Sequence, residues 1–173
     1  CSSIQHTFVA TCDEEIKKHI ESINGKVVMT SDKHERATER TAEALIKIEK
    51  SLNQKFDIVV MVQGDEPLVT APIIQKAIEP FSDKNINVVN LMSKISDVKE
   101  FEDKNEPKVV FDKNFNALYF SREPIPSRKM GSNHNTMYKQ VCVIPFRRDY
   151  LIKFNSLNAS TLERIESIDK RNT

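Results

Sequence analysis

A chain of 173 residues, 39% hydrophobic and with only three glycines, suits one ordinary globular domain, and it holds no internal repeat or low-complexity tract. Lys+Arg 26 against Asp+Glu 25 announces no basic face, so nucleic acid is not an implied partner. No apolar run approaches the ~18 residues of a membrane span, and no basic-then-apolar leader opens the chain.

Thr7 to Thr11 reads as a short strand, after which Asp13 caps a helix from Glu14 to Ile23 with Ile16, Ile20 and Ile23 at helical spacing. Asn24-Gly25 ends that helix and Lys26 to Thr30 makes a second strand, a unit that fits a parallel crossover. Ser31 to His34 is a polar loop. Arg36 to Lys50 predicts a helix with Ala37, Ala44, Leu45 and Ile48 on one face. From Ile58 an unbroken apolar, β-branched run predicts a strand buried on both faces, as in a parallel sheet, and it stops at Gln63-Gly64-Asp65-Glu66-Pro67. Thr70 caps a helix with Pro72 in its first turn and Ile73, Ile74, Ala77, Ile78 and Phe81 as its buried stripe. Asn87 to Met92 then returns as a strand.

The second half changes character. Lys108 to Phe111 and Ala117 to Phe120 flank the four-residue turn Asp112 to Phe115, which is a hairpin and not a crossover. A proline-stiffened segment from Ser121 to Pro126 leads into a polar loop, Arg128 to Asn135, expected to be the most mobile part. Gln140 to Ile144 reads as a further strand, Arg147 to Phe154 as a short helix, and Ser160 to Glu163 as a capping box opening a last helix.

The chemistry concentrates at two strand ends. Ligands of open α/β sheets gather at the carboxyl ends of strands. There Gln63 offers donors and an acceptor, Gly64 allows close backbone approach, and Asp65 with Glu66 offers hard oxygen ligands suited to Mg²⁺. A plain surface turn is the competing reading of Gly64 to Pro67. His34 to Thr41 stands between a strand end and a helix start, where backbone N–H groups and the helix dipole favour an anion and the basic and hydroxyl side chains suit a phosphate or ribose; a solvated, capped helix is the alternative. Tyr119, Phe120 and Arg122 frame a ligand or else belong to core and surface respectively. His6, His19, His34 and His134 show no zinc spacing, and no P-loop, dinucleotide fingerprint or nucleophile elbow is present. Cys1, Cys12 and Cys142, odd in number and beside apolar segments, read as small buried hydrophobes in a reducing cytoplasm.

Thr30-Ser31 with His34, Thr38-Glu39-Arg40, Val62 to Pro67, Lys108-Val109-Val110 and Ala117 to Arg122 with Ile125-Pro126, in this order, resemble the 3-deoxy-manno-octulosonate (Kdo) cytidylyltransferases. The resemblance implies an α/β fold of the nucleotide-diphospho-sugar transferase type, a mixed, mostly parallel sheet flanked by helices with an inserted hairpin, in a single domain over 1–173. It implies a cytoplasmic, Mg²⁺-dependent and commonly dimeric enzyme that joins CTP to a 2-keto-3-deoxy sugar acid and releases pyrophosphate. Asp65 would hold the metal, with Gln63 and Arg122 completing the catalytic set. His34, Arg36, Thr38 and Arg40 would line the nucleotide, and Gln63, Tyr119, Gln140 and Glu163 the sugar acid.

Four departures from the family pattern qualify this. Nothing like the family's nucleotide loop precedes Cys1, and a family aspartate that binds a second metal would lie beyond Thr173, so the expectation is of a domain without either end. Arg36-Ala37 replaces Ser-Gly beside the nucleotide, and Gln140, Cys142 and Ile144 replace a histidine, glycine and tyrosine pattern near the sugar. The alternatives are therefore a different acidic sugar, or a non-catalytic domain of the same fold.

Overall fold

A computed structural model describes residues 3–127 and 136–169. In chain order its elements are β1 (Val9–Thr11), α1 (Glu14–Ser22), β2 (Val27–Met29), α2 (Ala37–Leu52), β3 (Ile58–Val62), α3 (Ala71–Ile78), β4 (Leu91–Lys94), α4 (Val98–Glu102), β5 (Lys108–Phe111), β6 (Ala117–Ser121), β7 (Tyr138–Val141), β8 (Val143–Arg147), α5 (Arg148–Ser156) and α6 (Thr161–Glu166). They form two compact units. One takes the residues up to Val89 with Val143–Leu157, the other Asn90–Cys142 with the residues from Asn158 on. Among the described residues no helix is long and apolar enough to cross a membrane.

In the first unit, Asp13 accepts from the N–H groups of Glu15 and Ile16 at 2.7 and 3.1 Å, satisfying two donors that the first turn of α1 leaves open. At the far end Asn24 takes the left-handed φ of 59°, and Gly25 donates to the Ile20 carbonyl at 2.8 Å. β1 and β2 then pair in parallel, Val9 opposite Val27 and Thr11 opposite Met29, as the crossover requires. Ala42 and Leu45 of α2, Met61 of β3, Ile144 and Phe146 of β8, and Leu151 and Phe154 of α5 form the core.

β3 departs from its expected setting. It pairs antiparallel with β8, Ile58 opposite Arg147 and Val62 opposite Val143. Met61 is buried, but Val62 at the end of the strand is 40% exposed, and β3 is laddered on one edge only among the described residues. The expected strand Asn87 to Met92 divides as well: Val88 makes an isolated antiparallel bridge to Phe146, and β4 begins only at Leu91.

The second unit holds an antiparallel sheet in the order β4-β7-β5-β6. Its hairpin is the expected one. Asp112 organises the turn by accepting from the Asn114 and Asn116 N–H groups at 2.8 Å and the Asn116 side chain at 3.0 Å, while Phe115 sits at φ 63°. α4 was not expected from periodicity; Asp97 caps it through the Glu100 N–H at 2.8 Å. Ser160 caps α6 through the Glu163 N–H at 3.0 Å, as expected.

Gln140 to Ile144, expected as one strand, is two. Val141 pairs with Leu91 and Val143 with Val62, so the chain changes ladder at Cys142. The mixed α/β class holds, and β1–β2 is the one parallel pair among the described strands, where the resemblance implied a mostly parallel sheet. Cys12 is exposed and Cys142 half-buried, which corrects their reading as buried hydrophobes. Cys1, His134 and the loop Arg128 to Asn135 lie outside the described residues.

Candidate functional site

A cavity of about 930 Å³ opens in the first unit between β1 and β3. Its walls are mostly apolar, with Phe8, Leu45, Phe56 and Ile74 among them, and its polar residues include Gln5, His6, Thr11, Arg40, Thr41, Gln63 and Asp65. β1 and β3, which both contribute to its lining, are each laddered on one side only among the described residues. Thr11 ends β1 and Gln63 follows β3, so polar chemistry collects where these strands terminate.

Gln63 to Glu66 forms a turn closed by the Glu66 N–H on the Gln63 carbonyl at 3.1 Å, so the turn reading of this segment is correct as far as it goes. It does not account for the glycine. Gly64 has no positive φ, and a Cβ placed on it would meet no described atom within 4 Å. Neither backbone strain nor crowding among the described residues demands glycine there, and the open space beside it leaves room for a close backbone approach. Asp65 is exposed and makes no hydrogen bond or ion pair among the described residues.

The β2–α2 loop forms a second cluster. Arg40 donates from Nη1 to Thr30 Oγ1 at 2.5 Å and to the Ser31 carbonyl at 3.2 Å. His34 contacts Glu43 through Nε2 and lies 3.9 Å from Glu39 through Nδ1. Glu43 also accepts the Ser31 N–H at 3.0 Å and pairs with Lys47 at 2.7 Å. Hydrogen bonds from Lys47, Ser31 and His34 hold its carboxyl far below the ordinary 4.5, at about 2. Arg36 occupies the cap position of α2 and places no side-chain acceptor on the first turn. Thr38 is 1% exposed, inside the helix. Of the four residues expected around a nucleotide, Arg40 alone lines the cavity.

The remaining candidates lie in the second unit. Glu166 accepts from Tyr119 Oη at 2.5 Å, Ser121 Oγ at 2.9 Å and the Arg122 N–H at 2.8 Å. Burial pushes the Glu166 carboxyl up, yet these bonds outweigh it and keep it below the usual range; the same Tyr119–Glu166 bond raises the phenol. The Arg122 guanidinium donates to the carbonyls of Glu166, Ser167 and Lys104, so it ties the end of α6 to the strand carrying Tyr119. Gln140, 8% exposed, donates to Asn90 Oδ1 at 2.7 Å, and Glu163 is 2% exposed. Sequence reasoning missed Glu43 and Asn90. The Glu43–Lys47 spacing of four was legible as a helix-surface pair, but its contact with a loop twelve residues earlier was not.

Known proteins match this arrangement along its whole length. A model of the family described as cytidylyltransferase covers residues 1–173. The 3-deoxy-manno-octulosonate cytidylyltransferase of Thermodesulfovibrio yellowstonii is 40% identical over 174 residues, 96% of this chain and 68% of that protein. That of Francisella tularensis subsp. holarctica is 38% identical, over 98% of this chain and 69% of its own. A solved structure of CMP:2-keto-3-deoxy-manno-octonic acid synthetase complexed with CTP gives a TM-score of 0.85 at 30% identity, over 97% of this chain and 67% of that one. With a family model matching residues 1–173 and the fold shared, the chain belongs to the cytidylyltransferase family, among the 3-deoxy-manno-octulosonate cytidylyltransferases.

Proposed function

We propose that this protein joins CTP to 3-deoxy-manno-octulosonate, giving the CMP-sugar and pyrophosphate, and that its 173 residues serve one cytidylyltransferase-like domain. The observation that carries the site assignment is the Gly64-Asp65 pair: a glycine with open space about it beside a carboxylate that makes no bond among the described residues, at a strand end. The anomeric hydroxyl attacks the α-phosphorus in line, so the protein's task is positioning and charge stabilisation. Gln63, with donors and an acceptor, orients the sugar acid. The first turn of α2, carrying no side-chain acceptor from Arg36, favours phosphate oxygens, and Arg40 supplies fixed positive charge.

Mg²⁺ fits this set, because it binds through one or two carboxylates plus substrate phosphates and keeps several waters. Among the described residues no group of three or more His, Cys, Asp or Glu could hold a metal alone, so Asp65 would share the ion with the triphosphate. The ion would supply charge neutralisation at the phosphates. Tyr119, Gln140 and Glu163 serve the sugar side, with Arg122 holding Tyr119's strand in place. Family resemblance further supports a cytoplasmic homodimer. A different acidic sugar is the second reading, favoured by Gln140 being bonded to Asn90 where the family places a histidine.

The test is pyrophosphate release from CTP and Mg²⁺ by the full-length protein against a panel of 2-keto-3-deoxy sugar acids. Release with the eight-carbon acid confirms the reaction; release only with another acid selects the second reading. Asp65→Asn is expected to cut turnover at least ~100-fold with the fold unchanged by circular dichroism. Full activity in that variant removes Asp65 from the metal.

A further inference from the structure

The loop Thr30 to His34 is held to α2 chiefly by side chains, and one of them does more than its place on the helix requires. An exposed glutamate four residues before a lysine is satisfied by that lysine alone. Glu43 instead divides its carboxylate: Oε1 meets Lys47 at 2.7 Å, while Oε2 takes the Ser31 N–H at 3.0 Å and contacts His34. Arg40 holds the same residue from its other side, donating to the Ser31 carbonyl at 3.2 Å. Ser31 is thus gripped at both its N–H and its C=O by side chains one turn apart on α2. Lys47 adds a bond to the Met29 carbonyl at 2.8 Å, fixing the strand end that leads into the loop.

This arrangement bears on Arg40. Its bonds to the loop leave from Nη1, and a guanidinium has five N–H donors, so its Nε and Nη2 donors stay unbonded among the described residues on a side chain that lines the cavity. The direction of those donors depends on where Ser31 and Thr30 stand. Ser31 stands where Glu43 holds it.

We propose that Glu43 is a positioning residue for cytidylyl transfer, fixing Ser31 and His34 so that the loop and the Arg40 guanidinium are set to receive the nucleotide. The inference rests on the proposed function and deepens it: Glu43 touches neither substrate, and its effect falls on CTP and not on the sugar acid. Its carboxyl stays ionised through the neutral range, so the grip is constant under assay conditions.

The experiment is steady-state kinetics of the full-length protein and its Glu43→Gln variant, with thermal unfolding and the Ser31 amide shift by NMR alongside. We expect the KM for CTP to rise about tenfold, kcat and the KM for the sugar acid to stay within about twofold, and the Ser31 amide proton to move upfield as its charged acceptor is lost. Should Glu43→Gln fail to fold, Glu43→Asp keeps the charge but shortens the reach by a methylene, and it must show the same split. A lower melting temperature with an unchanged KM for CTP makes Glu43 a fold residue only and overturns the proposal. Equal rises in both KM values overturn it too. A wild-type protein that turns over no CTP defeats the proposed function itself, a failure visible before any variant is made.

Discussion

Lys108 shows how far one side chain's role can lie from what its type implies. A lysine opening a strand reads as a solvated edge, yet Lys108 is fully buried and its ammonium donates to the carbonyls of Asp103, Glu106 and Arg122 at 2.7, 2.8 and 2.7 Å. Burial pushes its pKa below the ordinary value, with Asp103, Glu123 and Glu106 nearby opposing the shift. Three carbonyls share this one buried donor group, so removing it takes a bond from each, although the Asp103 carbonyl keeps the Glu106 N–H at 3.1 Å. Lys108→Met is expected to destabilise the protein by about 2 kcal/mol, measured by urea unfolding, since hydrogen bonds from a charged group contribute about 1.5–3 kcal/mol. Glu43 teaches the same lesson at the site: its spacing to Lys47 was legible, its grip on Ser31 was not.

Among the elements, those with local signals formed where expected. Asp13, Thr70 and Ser160 occupy the cap positions that sequence assigned them, and the β5–β6 hairpin turns at Asp112. The α1 to β2 turn has a sharper requirement. A Cβ on Gly25 would stand 2.5 Å from Ile20 Cγ2 and 3.0 Å from the Ile20 carbonyl oxygen, although Gly25 itself has no positive φ. The β-branched Ile20 side chain has little freedom to yield. Gly25→Ala should therefore destabilise by about 1–3 kcal/mol, the cost of forcing an extra methyl into a packed contact, with unchanged helix content by circular dichroism. Elements that depend on partners fared differently: β3 reads as a doubly buried parallel strand because its residues are apolar throughout, whereas its observed ladder is antiparallel.

For the molecule as a whole, acidic groups tied to cations and N–H donors set the response to pH. Glu43, Glu49, Glu100 and Glu166 all lie below the ordinary carboxylate value in the folded chain. A depressed folded value means the unfolded chain binds more protons as the medium acidifies, so the stability these groups contribute is present above the ordinary value and lost below it. For Glu43 the window runs from 4.5 down to about 2. The denaturation midpoint should stay level from neutral pH to about 5 and then fall, and Glu43→Gln should flatten part of that fall.

By itself the sequence determined the α/β class, most element positions and the family, because caps, turns, periodicity and ordered motifs act through near neighbours or survive as strings of residue types. Gln63-Gly64-Asp65 stood out as a candidate motif for that reason. Only the tertiary structure decided strand partners, the change of ladder at Cys142, the burial of Lys108 and the commitments of Arg122 and Glu43. The physical reason is common to all of them. A ladder partner or a long-range hydrogen bond is set by which groups meet when the chain packs, and residue type and spacing encode the capacity for such a contact but not its partner.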